Sequence, residues 1–381
     1  MPGSKLKSGE SVVLLRENFG ALFDALRAEG YKIIGPTVQD GAIVYDEINS
    51  PDDLPAGWGD LQEPGKYRLR RRSDQALFGY VVGPHSWKRF LFPPHLRMWR
   101  AVKNRTGFQI IPDQEEPPRM AFLGVRPCEL QAIAIQDTIF KGTKYVDPVY
   151  QGRRHAALII AVNCAEPAGT CFCTSMKTGP RALAGFDIAL TELLTDGKHR
   201  FLLESGSVRG VELLRKLPTQ PATEEDRKEA EAVTREAAGR ITRQLETEGL
   251  RDLLLSNLEH PRWEAIADRC LACANCTMVC PTCFCSTVED TTDLVGNHAE
   301  RWRRWDSCFN LDFSYIHGGS VRQSTMSRYR QWMTHKLASW VDQFGTFGCV
   351  GCGRCITWCP VGIDITEEAR QMRQTVAAGK E

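Results

Sequence analysis

The sequence predicts an α+β fold built from two unlike domains, and three observations support this prediction. Residues 10–217 mix helix and strand signals. At a proline-containing segment near 218–222 the residue pattern changes to one typical of helices, and two matched cysteine arrays follow. A chain of 381 residues is also long enough for two separate cores. We therefore expect an N-terminal α/β-type domain over residues 1–220 and an α-helical domain over residues 221–381.

The elements of the N-terminal domain follow from apolar periodicity. In "FGALFDALRAEGY" the large apolar side chains fall on one helical face, whereas "KIIGPTV" (32–38), "AIVYDEI" (42–48) and "ALFGYVVG" (76–83) are typical of strands. Two further runs, "MAFLGV" (120–125) and "AALIIAV" (156–162), are short and almost entirely apolar. Such runs are typical of strands buried on both faces, and each is followed closely by a cysteine.

Helices are expected to dominate the second domain. Thr223 followed by three acidic residues is a helix-start signal, and Val233, Ala237, Ile241 and Leu245 recur every four residues beyond it. The segments 293–317 and 328–345 are aromatic-rich and nearly free of proline, which predicts helices between the two cysteine arrays. The arrays should therefore be brought together by helices and not by a β-sheet.

Composition excludes several classes of protein. Lys and Arg (48) nearly balance Asp and Glu (47), so the net charge of the chain does not favour binding to nucleic acid or to an anionic membrane. The N-terminus lacks the apolar stretch of a signal peptide and no run of 18 apolar residues occurs, which predicts a cytoplasmic protein without a membrane span. In that reducing compartment 15 cysteines favour metal binding over a disulfide framework.

Two cysteine arrays share the pattern C-x2-C-x2-C-x3-C-P, which is the bacterial signature for two 4Fe-4S clusters. In this pattern three cysteines of an array wrap one cluster and the fourth reaches the other cluster. Zinc is the alternative metal, because C-x2-C pairs also form tetrahedral sites. The predicted ligand sets are Cys270, Cys273, Cys276 and Cys359 for the first cluster, and Cys349, Cys352, Cys355 and Cys280 for the second.

The string "TCFC" occurs twice, at 170–173 and at 282–285. In the second copy, Cys283 and Cys285 follow the first array closely, and Cys308 comes later. Because the two clusters already have eight ligands, packing beside a cluster or tuning of its potential is favoured over ligation for these three thiols.

The first TCFC leads to the prediction of a third 4Fe-4S cluster. Residues 1–220 contain four cysteines, and two of them follow apolar strands whose carboxyl ends would meet if the strands are parallel neighbours. Zinc and unligated packing are the alternatives. Arg126 could offset the negative charge of a cluster. The predicted ligands are Cys128, Cys164, Cys171 and Cys173.

Nucleotide-binding fingerprints are absent from the sequence. No G-x-G-x-x-G unit opens a helix after a strand, and no Walker A sequence occurs. We therefore expect no FAD or NAD on this chain, and no catalytic residue. The basic strings "YRLRRR" (67–72) and "RWRRW" (301–305) are interpreted as solvated or docking surfaces, because the net charge is close to neutral.

The order of sequence blocks carries a family resemblance. The strings "GVRPCELQAIAIQD", "NCAEPAGTCFC", "CLACANCTMVCPTCFC" and "CVGCGRCITWCPVGIDIT", with others along nearly the whole chain, resemble the iron-sulfur beta subunit of soluble NAD(P)-linked nickel-iron hydrogenases of the sulfhydrogenase type. They are also similar to the A subunit of anaerobic sulfite reductase. Ala272 and Ala274 stand where glycine or serine is common in this family.

The resemblance implies an electron-transfer role. Such a subunit relays electrons between a partner that binds flavin and NAD(P)H and a catalytic partner, here nickel-iron hydrogenase subunits. The corresponding electron-transfer subunit of an anaerobic sulfite reductase is the alternative within the resemblance. A regulatory or nucleic-acid-binding module with structural metal is the alternative from a different class of protein.

Overall fold

The structure is a computed structural model that describes residues 10–113, 116–142, 144–195 and 197–378. Helices and strands are mixed along the chain, in agreement with the predicted α+β class. The strands are β1 Ser11–Leu15, β2 Lys32–Gln39, β3 Ala42–Glu47, β4 Trp58–Glu63, β5 Lys66–Arg71, β6 His95–Asn104, β7 Gly107–Pro112, β8 Met120–Val125, β9 Leu158–Val162, β10 Ile188–Thr195, β11 Lys198–Ser205, β12 Gln220–Pro221, β13 Ser286–Thr292, β14 His298–Trp305, β15 Tyr315–Ile316 and β16 Gly319–Ser320.

The helices of the described residues range from four to 17 residues in length. They are α1 Gly20–Ala28, α2 Lys88–Leu91, α3 Pro127–Phe140, α4 Pro148–Ala156, α5 Val208–Leu214, α6 Glu224–Arg240, α7 Leu250–Leu255, α8 Arg262–Ala267, α9 Asn275–Met278, α10 Thr325–Thr334, α11 Trp340–Phe344, α12 Arg354–Thr357 and α13 Ile365–Ala378. A π-helical turn, His335–Ser339, joins α10 to α11.

An eight-stranded sheet organises the N-terminal half, in the order β12-β1-β11-β10-β9-β8-β2-β3. The four strands β10, β9, β8 and β2 run parallel to one another. All residues of β8 and β9 are buried, because helices and loops cover both faces of the sheet centre. This pairing confirms the prediction that the two apolar runs are parallel neighbours, so their carboxyl ends share one edge.

The predicted strand at 76–83 is wrong. The segment is buried but irregular, because most of its backbone bonds are to side chains, and a bond to a strand is made only at its end, where the Gly83 amide donates to the Ile43 carbonyl of β3 at 2.8 Å. The amides of Leu77 and Phe78 donate to the carboxylate of Glu192 at 2.6 and 2.9 Å. Nη2 of Arg126 donates to the carbonyls of Phe78 and Tyr80 at 2.8 and 2.7 Å. The apolar composition of the segment correctly indicated burial. Its backbone finds hydrogen-bond partners in the buried charged side chains of Glu192 and Arg126 and does not pair as a strand.

The insert between the arrays is only partly helical, so the prediction of helix over 293–317 is wrong. There β14 pairs with β6, and a four-stranded sheet forms in the order β13-β14-β6-β7. Cross-strand contacts explain the difference: the Trp302 ring stacks on His95 with centroids 4.3 Å apart, and Arg97 pairs with Glu300 at 2.9 Å. The helix expected over 328–345 is present as α10, the π-turn and α11.

Helix α6 starts where the sequence predicted, with a capping box between Thr223 and Asp226. It ends at Arg240, so Ile241 and Leu245 are buried outside the helix, which corrects the longer predicted helix. Its buried side chains contact β10 and β11 of the eight-stranded sheet.

A second hydrophobic core surrounds the cysteine arrays. It includes Trp263, Tyr329, Trp332 and Met333 from the helices, and Phe172 from the N-terminal half. The second core therefore includes a residue of the N-terminal half at the first TCFC.

Candidate iron-sulfur centres

The first array lies at the protein surface. Ala272 and Ala274 have positive φ angles of 49° and 66°, and these two left-handed residues turn the backbone between successive cysteines. Helix α9 begins directly after Ala274. Cys273 is exposed, and the neighbouring Leu271 is 63% exposed.

The thiols of the first array are grouped with one thiol of the second array. Burial raises the pKa of Cys276 well above its usual value, and the nearby thiols of Cys270, Cys359 and Cys273 raise it further. Burial likewise raises the pKa of Cys270, with further contributions from Cys359 and Cys273. The structure thus brings together all four residues that the sequence predicts for the first cluster.

A cavity of about 30 Å³ lies among these thiols. Its wall includes Cys270, Cys273, Cys276 and Cys359, together with Tyr329 and Trp332. The hydroxyl of Tyr329 and the indole Nε1 of Trp332 are buried without a hydrogen-bond partner in the structure. Buried donors are costly to leave unpaired, and the sulfides or thiolates of a cluster would accept from them. The cavity therefore fits a cluster better than close packing of free thiols.

The second array is buried more deeply. Burial raises the pKa of Cys355 well above its usual value, and the adjacent thiols of Cys349, Cys352 and Cys280 add to the effect. Burial also raises the pKa of Cys349 to about 12. The fourth neighbour, Cys280, comes from the first array, so the structure also brings together the four residues predicted for the second cluster.

Lys336 lies beside the second group, and sequence reasoning missed it. Its ammonium is 5% exposed and donates to Cys280 Sγ at 3.2 Å, Thr282 Oγ1 at 3.0 Å and the Gly348 carbonyl at 3.4 Å. The thiol of Cys283 and this ammonium lower the pKa of Cys280 well below its usual value. Lys336 occupies the π-helical turn, which its local sequence does not predict.

The four N-terminal cysteines meet at the carboxyl edge of β8 and β9. Burial raises the pKa of Cys171 well above its usual value, with Cys173 and Cys164 as neighbouring thiols. Burial also raises the pKa of Cys128, whose nearest thiols are Cys173 and Cys352. The predicted third group is therefore assembled, and Cys352 of the second array borders it.

The first TCFC packs directly against the second array. The Phe172 amide donates to the Gly351 carbonyl at 2.9 Å, and Cys171 Sγ lies 3.9 Å from the Cys352 carbonyl oxygen. A Cβ at Gly351 would lie 2.7 Å from the Cys173 Cα, and one at Gly353 would lie 2.3 Å from the Thr170 carbonyl oxygen. Both glycines are needed because two backbones approach each other here.

Arg126 lies beside the N-terminal thiols. It is 3% exposed, its Nε has no hydrogen-bond partner, and no carboxylate in the described part of the chain forms a salt bridge with it. A buried guanidinium without a carboxylate is costly unless another anion compensates it. The buried Arg126 guanidinium is chemically suited to lie beside an anionic metal-thiolate centre.

A second buried arginine, Arg354, connects the arrays to the N-terminal half and was also missed. Its Nη2 donates to Glu129 Oε1 at 2.7 Å, and the two side chains are 3% and 1% exposed. Glu129 also accepts from the Tyr45 hydroxyl at 2.6 Å and from Trp87 Nε1 at 3.2 Å. A signal existed in the sequence, because Arg354 lies inside the second array where the first array has Asn275.

The second TCFC places Cys283 near Cys280, and Cys285 near Cys308. Lys88, which is 4% exposed, has the thiols of Cys283, Cys280 and Cys285 among its nearest charges. The structure therefore brings the three remaining cysteines to the edge of the second group.

Among the residues that the structure describes, no three His, Cys, Asp or Glu side chains are arranged to hold one metal ion. This holds for the eight array cysteines of the described part of the chain as well. A polynuclear cluster binds each thiolate through a different iron and accepts wider spacing. Where burial raises the pKa of an array thiol, as at Cys270, Cys276 and Cys355, ligation by iron would hold it as the thiolate.

The arrays, the cavity and the exchanged fourth cysteines define a dicluster iron-sulfur protein. The 4Fe-4S dicluster domain family matches residues 269–363, which contain both arrays. Sulfhydrogenase 2 subunit beta of Pyrococcus furiosus is 30% identical over 366 residues, covering 95% of this chain and 98% of the relative. The chain therefore belongs to the sulfhydrogenase beta subunit family, as the resemblance predicted.

No solved structure matches this chain. Within the described residues, no helix is both long enough and apolar enough to cross a membrane.

Proposed function

We propose that this chain is the electron-transfer subunit of a nickel-iron hydrogenase complex and relays single electrons through clusters bound to its cysteines. The observation that carries the proposal is the exchange between arrays: Cys359 lies with the first array and Cys280 with the second. This exchange is what the spacing of a dicluster protein requires. Buried unpaired donors in the cavity support a bound cluster at the first group.

The proposed ligands are the two sets that the sequence predicts. The first cluster is bound by Cys270, Cys273, Cys276 and Cys359, and the second by Cys349, Cys352, Cys355 and Cys280. Proximity of Cys276 to Cys355 supports direct electron transfer between the two clusters.

A third 4Fe-4S cluster is proposed at Cys128, Cys164, Cys171 and Cys173. Its position would be next to the second cluster, because Cys352 borders three of these thiols. Buried Arg126 would compensate its negative charge. The three centres would then form a relay in which the second cluster is central, the first lies nearest the surface and the third lies at the carboxyl edge of the eight-stranded sheet.

Flavin and nicotinamide are proposed to be bound by a partner, and hydrogen chemistry to take place on nickel-iron subunits. The sequence similarity to a sulfhydrogenase beta subunit supports assignment to a hydrogenase complex over assignment to a sulfite reductase. In the complex, the residues of this chain would position the clusters, exclude water from them and set their potentials through Lys336 and Arg126.

The test is anaerobic purification of the full chain, followed by iron and sulfide analysis and a redox titration monitored by EPR. We expect at least about eight irons per chain and signals that NAD(P)H elicits only when the flavin-binding partner is added. The variant Cys270→Ala should lose one signal, whereas a neutral surface variant, Leu183→Ala, should retain all of them. A colourless protein, or a chain that purifies with zinc, would contradict the proposal.

The third cluster has its own test. In the full chain, the double variant Cys128→Ala/Cys171→Ala should lose about four irons while the dicluster signals persist. Unchanged iron content in the folded double variant would rule out the third cluster, and the proposed relay would then consist of the two dicluster centres alone.

A further inference from the structure

The two basic strings of the sequence differ in how the fold uses their charges. In the string at 301–305 every arginine pairs with a carboxylate, namely Arg301 with Asp290, Arg303 with Asp147 and Arg304 with Glu289. In the string at 67–72, Arg72 pairs with Asp74 at 2.7 Å. Arg68 and Arg70 are exposed, and neither forms a salt bridge within the described part of the chain. The charges of the first string therefore stabilise the fold, whereas those of Arg68 and Arg70 face solvent.

The two arginines lie on the outer face of the hairpin formed by β4 and β5. In an antiparallel pair, residues directly opposite each other have their side chains on the same face. Arg68 lies opposite Leu61, and Lys66 lies opposite Glu63, with which it pairs at 3.4 Å. All of these side chains are exposed. The outer face, termed the basic face below, comprises Leu61, Glu63, Lys66, Arg68 and Arg70 and has an excess of positive charge.

The inner face of the same hairpin packs on the segment that supplies Cys359, a proposed ligand of the first cluster. The Tyr67 ring stacks on Trp358 with centroids 5.4 Å apart. At the tip of the hairpin, the Gly65 amide donates to the Ile356 carbonyl at 3.1 Å, and a Cβ at Gly65 would lie 3.0 Å from the Cys359 carbonyl oxygen. The basic face is therefore held beside the first array.

Exposed apolar groups of the first array adjoin the tip of the hairpin. Cys273 and Leu271 are exposed, as is Val361 on the segment that follows the last cysteine. The next residue, Gly362, contacts the hairpin, because a Cβ placed there would lie 3.3 Å from Pro64. Apolar and basic side chains therefore surround the part of the first array that is open to solvent.

One bound protein could cover both the first array and the basic face. Arg68 is three residues from Gly65 at the tip, which is about 10 Å at about 3.3 Å per residue in a strand. An interface of standard size buries about 800 Å² on each partner and is therefore about 30 Å across. A protein bound over the first cluster would thus also contact the basic face.

We propose that the basic face and the exposed part of the first array together form the docking surface for an acidic redox protein. This inference rests on the proposed function, because it takes the first cluster as the outer end of the relay. In each transfer one electron leaves the reduced group of the docked protein and reduces the oxidised first cluster, or moves in the opposite direction.

The chemistry of the surface defines the partner. Three cations with one carboxylate among them require a partner face that presents Asp and Glu side chains. Exposed Leu61 and Leu271 favour a protein over a nucleic acid, because a phosphate backbone offers these apolar side chains no partner. The position beside the first array favours a redox protein over a protein that binds without exchanging electrons.

The test follows cluster reduction by stopped-flow absorbance under anaerobic conditions. The full chain with its clusters is mixed with the flavin-binding partner and NAD(P)H or, separately, with the nickel-iron partner and hydrogen. In Arg68→Glu/Arg70→Glu, the rate through one of the two partners should fall about tenfold or more at low salt, because complementary charge raises association rates by roughly 10- to 1,000-fold. At about 0.5 M salt the rates of parent and variant should converge, since the charges are screened.

Two further variants separate docking from damage to the fold. Glu63→Gln removes the carboxylate of the basic face and should raise the same rate at low salt, which a loss of folding would not do. The matched control Lys103→Glu/Arg105→Glu makes the same change of charge at the exposed turn between β6 and β7, and it should leave the rate within about twofold of the parent. Iron content and EPR signals should be unchanged in all three variants.

Equal rates through both partners in the parent and in Arg68→Glu/Arg70→Glu would overturn the inference, as would an equal loss of rate in the matched control. Binding of poly(U) RNA or of anionic phospholipid vesicles that the double variant loses, with both rates unchanged, would assign the basic face to a polyanion and would also overturn it. A parent chain whose clusters are reduced through neither partner would contradict the proposed function, and this inference with it.

Discussion

The two cysteine arrays have the same spacing but opposite surroundings. At matching positions, Leu271 is 63% exposed and Val350 is 2% exposed, and the first array has alanine at 272 and 274 where the second has glycine at 351 and 353. All four of these small residues have positive φ. The turn geometry is therefore common to both arrays, whereas the demand for glycine comes only from packing against the first TCFC.

This difference separates two reasons for a small residue between the cysteines: the left-handed backbone and close packing against another segment. A left-handed backbone is tolerated by alanine at a cost of about 1–2 kcal/mol, and the first array accepts that cost at Ala272 and Ala274. In the second array a methyl group would collide with backbone atoms of residues 170–173. The second array is therefore fixed by its packing against the N-terminal half, whereas at the matching position the first array is exposed.

The largest expected effect is the loss of a cluster. Cys359→Ala lies in the second array but should remove the cluster of the first array, because its thiol is grouped with Cys270 and Cys276. EPR of the anaerobic variant should lose the signal that Cys270→Ala also loses. If instead the signal shared with Cys349→Ala disappeared, the arrays would not exchange their fourth ligands.

Arg354→Met should destabilise the protein by about 3–5 kcal/mol, because it leaves buried Glu129 without its cation. The matched change in the first array, Asn275→Ala, removes one hydrogen bond from an exposed side chain to the Trp358 carbonyl and should cost less than about 1 kcal/mol. Denaturant unfolding under anaerobic conditions measures both. Equal costs would mean that the second array is not fixed more firmly than the first.

Gly353→Ala should cost about 2–3 kcal/mol, because its methyl group would meet the Thr170 carbonyl oxygen and its φ of 74° is unfavourable for alanine. The same unfolding measurement applies, and EPR should report a changed environment of the second cluster. A variant as stable as the parent would contradict the close approach of the two backbones.

The smallest effect is expected at the matching position of the first array. Ala274→Gly relieves the left-handed strain but increases the entropy of the unfolded chain, so a net stabilisation of about 0.5 kcal/mol is expected. The thermal midpoint of the anaerobic protein should rise slightly. A clear decrease would indicate that the Ala274 side chain, which packs in the second core, contributes more than its strain costs.

Much of the site was predictable from spacing alone. Cysteines three residues apart followed by Cys-Pro constrain local geometry, so both predicted dicluster groups are found together in the structure. The buried runs at 120–125 and 156–162 were equally clear, because strands covered on both faces need continuous apolar sequence. From these strands the convergence of Cys128 and Cys164 followed by simple geometry.

The sequence by itself determined the ligand spacing, the central strands, the start of α6 at Thr223 and the family of the chain. Only the tertiary structure decided where polar groups find partners across large sequence separations. Segment 76–83 is irregular because Glu192 and Arg126 bind its backbone, and 298–305 is a strand because β6 lies beside it. Folding buries Lys88 and Lys336 beside thiols that lie far away in the sequence, and no local pattern predicts that burial.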